Sequence, residues 1–145
     1  MDAALPLKDE DRSMTRTTPF AMKTLLSLDA LTCAAMGGAL IAGSGLVSAI
    51  TDIPAALLHW AGLSLLPIAA FMAIAALASG PRWMVTFIIL GNGLWVAASL
   101  ILPAGGLIVP NALGWTFLVG QAAVVAVLAK LEFEASRDSL ELSAS

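Results

Sequence analysis

Six side chains in this 145-residue sequence set a polar or reactive group in an apolar stretch: Asp29, Cys33, His59, Asn92, Trp95 and Gln121. Any chemistry has to start from them. Asp29 lies six residues past Lys23, about 9 Å into a helix at 1.5 Å per residue. An aspartate at the centre of a membrane helix costs about 2.5–3.5 kcal/mol, and less nearer the interface. It therefore needs either a partner or a purpose. The functional reading is a proton- or cation-binding carboxylate facing a cavity. The structural reading is an acid paired with Lys23, Arg82 or Lys130, or bonded to an indole or hydroxyl. The structural role is preferred, because those bases fall in the same half of the chain's apolar layer.

Asn92 is ten residues after Arg82 and Gln121 nine before Lys130, so both amides lie about 14–15 Å deep. They are expected to bond to each other, a contact worth about 0.6 kcal/mol and up to about 2. Gly91 and Gly93 flank Asn92, and Trp95 follows one turn later. Such a segment lines a small-molecule pocket or makes a tight helix crossing; the crossing is preferred. His59 reads as an interfacial, hydrogen-bonded imidazole and Cys33 as a small buried apolar residue. One histidine and one cysteine without companions at ligand spacing do not make a metal or haem site. No Ser–His–acid set, phosphate loop or carboxylate pair is visible in the sequence. The expectation is a protein that is not an enzyme, with no catalytic residue, no metal and no cofactor.

The elements that position these residues follow from composition. The chain is 59% hydrophobic and 12% charged, with mean hydropathy +0.93, whereas a soluble domain has about 25% charged residues. Between Thr24 and Ala129 only Asp29, Asp52 and Arg82 carry formal charge. A stretch so long and apolar has to be solvated by lipid. Breakers at Thr51–Pro54, Gly80-Pro81 and Pro103–Pro110 divide it into spans of about 23–50, 55–79, 82–102 and 110–130. Asp52 is placed to cap the second span, and Pro67 to kink it. Residues 1–20 read as a disordered cytoplasmic tail, 21–135 as an all-α, four-helix up-down-up-down transmembrane bundle, and 136–145 as a cytoplasmic tail. Leu131–Arg137 is expected to carry the fourth helix out of the membrane, with fraying after Arg137.

Charge sets the threading. All seven basic residues, Lys8, Arg12, Arg16, Lys23, Arg82, Lys130 and Arg137, fall on one side of this pattern. That bias places both termini in the cytoplasm of a bacterial inner membrane. It also puts His59 near the face opposite Asp29. Net charge of −3 and the absence of a basic patch argue against nucleic-acid binding.

Helices in lipid associate through close packing of small residues. The first span carries two such ridges, Ala34, Gly38, Ala42 and Ala35, Ala39, Gly43. Packing within the monomer is preferred for them over a homo-oligomer face.

Leu28-Asp29-Ala30 with Cys33, and Pro54 followed by Leu58 and Gly62, carry a resemblance. So do Gly91-Asn92 with Trp95, and Gln121-Ala122 followed by Leu131-Glu132-Phe133-Glu134. Over residues 24–135 the chain resembles a group of small bacterial integral membrane proteins with four helices and no assigned activity. The resemblance implies a recurring architecture and importance for Asp29, Asn92, Trp95 and Gln121. Two functions fit these residues, and the first is preferred. One is a non-enzymatic accessory or assembly subunit, packing against a membrane-protein partner or a second copy in the lipid bilayer. The other is a small proton-coupled transporter acting as a dimer, with Asp29 as the coupling carboxylate.

Overall fold

The computed structural model describes the backbone of residues 19–144 and the side chains of residues 21–137. Four helices follow in order, α1 (Pro19–Thr51), α2 (Ala55–Leu77), α3 (Arg82–Ala104) and α4 (Ala112–Ala144), and no strand occurs among the described residues. Each is long and apolar enough to cross a membrane. Even the shortest, 23 residues, spans about 34 Å against a hydrocarbon layer of about 30 Å. The chain is a multi-pass, all-α membrane protein built as a four-helix bundle.

The helices and the expected spans differ at their ends. α4 continues past Lys130 through Arg137, as expected, but does not fray there and runs to Ala144, so the expected tail at 136–145 is helical over nearly its whole length. α3 continues through Pro103 to Ala104, and α2 ends at Leu77. Of the expected 1–20 tail, residues 1–18 lie outside the described residues, and Pro19 and Phe20 already belong to α1.

α1 lies against α2 and α4, α4 lies against α3, and α2 and α3 barely touch. The bundle is therefore open along its α2–α3 edge. α1 meets its neighbours through Leu26, Asp29, Ala30, Cys33, Gly37 and Leu40, which recur at three- and four-residue spacing and are all buried. α1 and α2 come close at Gly37 against Gly62. A Cβ on Gly37 would stand 3.0 Å from the Gly62 carbonyl oxygen, and one on Gly62 would stand 2.8 Å from the Gly37 carbonyl.

The two small-residue ridges are not used this way. Ala34, Ala35, Gly38, Ala39 and Ala42 are exposed and Gly43 is half-buried, with no atom within 4 Å of a Cβ on Gly38 or Gly43. The expected packing of these ridges within the monomer is overturned. One residue turns a helix by 100°, and the face that docks is the one through Gly37.

At the end remote from Lys23, Arg82 and Lys130, one residue joins α1 to α4. Asn111 is the N-cap of α4, its Oδ1 accepting from Gly114 N–H at 3.0 Å. Its Nδ2 donates to the Ile50 carbonyl at 2.9 Å and its backbone N–H to the Thr51 carbonyl at 3.1 Å. The last carbonyls of α1 and the first amides of α4 thus find partners in a single residue. Asn111→Ala is expected to lower stability by about 1–2 kcal/mol, measured as the fraction folded under denaturing detergent. Asp52 does not cap α2 as expected. It adopts a left-handed conformation (φ 57°) that closes α1, its N–H donating to the Ser48 carbonyl at 2.9 Å. α2 begins after Pro54 with no side-chain cap.

Candidate functional site

α1, α3 and α4 each send one polar side chain to a single buried point. Asn92 of α3 stands at the centre. Its Nδ2 donates to Asp29 Oδ2 of α1 at 2.7 Å and to Glu132 Oε2 of α4 at 3.2 Å. Asp29 is 1%, Asn92 5% and Glu132 0% exposed, so all three have left solvent entirely. Because a carboxylate oxygen can only accept, these two partners determine which end of the amide faces them. The two accepting oxygens are no farther apart than the sum of the two bond lengths. Cys33, one turn past Asp29, points its thiol at Asp29 Oδ1 over a long 3.8 Å. The second Glu132 oxygen, Oε1, is buried with no hydrogen-bond partner.

Local sequence explains how Glu132 reaches this position. Two residues on a helix differ by about 200°, so Glu132 and Glu134 take opposite faces. Glu134 is exposed and pairs with exposed Lys130 at 3.7 Å, a surface contact of little energetic weight. Glu132 turns inward beside buried Ala135.

Several expectations change here. Asp29 is held by an amide and a thiol, not by Lys23, Arg82 or Lys130. Asn92 bonds the two acids instead of Gln121. A carboxylate pair, not visible in the sequence, is present. Gln121 and Glu132 are eleven residues apart, three helical turns, and therefore share a face of α4 about 16 Å from each other. Depth counted from Lys130 selected the right face and the wrong turn. The expected tight crossing at Gly91 and Gly93 is also absent, since both are exposed with nothing within 4 Å of a Cβ.

Trp95 is half-buried and borders three cavities. One, of about 380 Å³, brings Asp29, Cys33, Trp95 and Gln121 to a common wall between α1 and α4. Another, of about 580 Å³, lies between α2 and α3 and ends on Asn92, Cys33 and Trp95. The four residues singled out in the sequence thus gather around one region, though not through the bond expected. His59 stays apart, edge-on to Trp60 with ring centroids 6.5 Å apart. Among the described residues no group of three or more His, Cys, Asp or Glu side chains is placed to hold a metal ion.

No known protein family, curated protein or solved structure matches the chain. Its chemistry is read from this site alone.

Proposed function

We propose that the chain is a small proton-coupled membrane transporter in which Asp29, Asn92 and Glu132 hold one exchangeable proton. The observation that carries this reading is the carboxyl pair buried around a single amide, with Glu132 Oε1 lacking any donor. Two like charges this close in a low-dielectric interior do not both ionise. A proton held by the pair removes one of the two charges. The Asn92 amide then fixes the geometry in which the proton is held. The basic residues on one side of the spans support placement in a bacterial inner membrane with both termini cytoplasmic. The site then sits in the cytoplasmic half, reached from the side of Lys23, Arg82 and Lys130.

Infrared difference spectra of the purified protein, taken between roughly pH 5 and 9, test the proton. The wild type is expected to show a titrating carboxylic-acid C=O band that shifts in deuterated water. Asp29→Asn combined with Glu132→Gln keeps the shape of the site and removes the band. A wild-type spectrum with no titrating carboxylic acid would sink the reading.

One observation favours the second reading, an accessory or assembly subunit. The Ala34, Gly38, Ala42 ridge and its neighbour face outward, where another transmembrane helix, from a partner or a second copy, can approach closely. This arrangement also suits the dimeric form of the transporter.

A further inference from the structure

α2 and α3 meet at the turn that joins them and then diverge. Near that turn Phe71 of α2 lies edge-on to Phe87 of α3, with centroids 5.6 Å apart and planes at 71°, and is tilted against Trp83 at 6.2 Å. Beyond this aromatic contact the helices enclose the cavity of about 580 Å³, walled by aliphatic side chains and by Phe71, Phe87 and Trp95. Its polar wall is Asn92 and Cys33. The two N–H groups of the Asn92 amide are committed to Asp29 and Glu132. What Asn92 still has to offer is its carbonyl oxygen, an acceptor. Behind it lie two carboxyl groups, one with an oxygen that has no donor. No lysine, arginine or histidine borders this cavity or the one that reaches Asp29 from the α1–α4 side. A wall of one amide acceptor and aromatic faces, with two acids behind the amide and no base, excludes anions and selects a ligand that donates hydrogen bonds, carries positive charge and has an apolar body.

We propose that the α2–α3 cleft binds a hydrophobic ammonium ion, a protonated amine whose apolar body fills the cavity and whose N–H donates to Asn92 Oδ1. Its charge is balanced by the Asp29–Glu132 pair. The proposal rests on the proton-binding reading of that pair: ammonium and proton are alternatives at one acid cluster, and each displaces the other. The open α2–α3 edge admits the ligand from the lipid, where an apolar amine concentrates.

Calorimetric titration of the full chain in lipid nanodiscs tests this with three ligands of one shape: aminoadamantane, neutral adamantanol and anionic adamantanecarboxylate. The amine is expected to bind at least about tenfold more tightly than the alcohol, the carboxylate not at all, and amine binding to release protons to a pH indicator. Asp29→Asn combined with Glu132→Gln reduces the preference for amine over alcohol to about onefold. Gly91→Leu projects a side chain from a cavity-lining position with open space, without touching the acids. It abolishes saturable binding of the amine, with folding checked by elution as the wild type. Preference for the alcohol, or amine binding indifferent to Gly91→Leu, overturns the proposal. If the carboxylic-acid band titrates and the amine does not bind, the ligand is wrong and the proton site stands. If the amine binds with the expected preference but no band titrates and no proton is released, the cleft stands and the proton reading falls.

Discussion

Replacing Asn92 by leucine is expected to lower stability by about 3–5 kcal/mol, the largest loss for any single side chain at the site. The amide donates to both buried acids, at 2.7 and 3.2 Å. A bond to a charged group contributes about 1.5–3 kcal/mol, and a buried acceptor left without a donor costs more still. Leucine has a similar volume, so the cavity term is small and the loss is electrostatic. The reciprocal experiment separates this from packing. In a background of Asp29→Leu and Glu132→Leu, Asn92 becomes the unsatisfied group, and Asn92→Leu should then be neutral or stabilising, since replacing a whole buried polar network by apolar side chains often is. The cycle is read as fraction folded in mixed micelles under increasing denaturing detergent. An equal cost in both backgrounds would show that Asn92 does not serve the acids.

The same three residues show how far the sequence can be read. Asp29 and Asn92 stand out because each interrupts a run of apolar residues, and in lipid such an interruption needs a reason. Glu132 does not stand out. It follows Lys130 and precedes Glu134 and Arg137, a segment whose composition reads as solvated. What distinguishes it is the helical face it shares with Gln121, three turns earlier, and the charged residues around it give no sign that this face is buried at that turn. The spans and turns were legible because hydropathy and Pro/Gly breakers report them directly. Which face of α1 packs was not, for a reason particular to membranes. Lipid-facing positions are as apolar as buried ones, so periodicity carries no inside-or-outside mark, and Gly37 and Gly38 are equivalent in sequence. Only the neighbouring helix distinguishes them, by coming within contact of one.

That distinction yields the second large effect. Gly62→Leu is expected to cost about 3 kcal/mol, whereas Gly38→Leu is expected to be neutral or stabilising by up to about 1 kcal/mol through helix propensity. A Cβ on Gly62 meets the Gly37 carbonyl oxygen at 2.8 Å and the Leu40 Cβ at 3.0 Å. The first is backbone and cannot move aside without moving α1. Because no hydrophobic force drives helices together in lipid, the α1–α2 pair depends on this close packing, and widening the crossing forfeits contacts along its length. Gly37→Leu, which meets the Gly62 carbonyl at 3.0 Å, should behave as Gly62→Leu does. Thermal unfolding in one detergent reads all three variants. Equal losses at Gly37 and Gly38 would place the crossing on the wrong face of α1. A second measurement extends the comparison: if Gly38→Leu leaves the isolated monomer intact but lowers the mass of the species extracted from membranes, the outward ridge of Ala34, Gly38 and Ala42 is occupied by another helix. An unchanged mass leaves that ridge facing lipid, and the accessory-subunit reading loses its structural support.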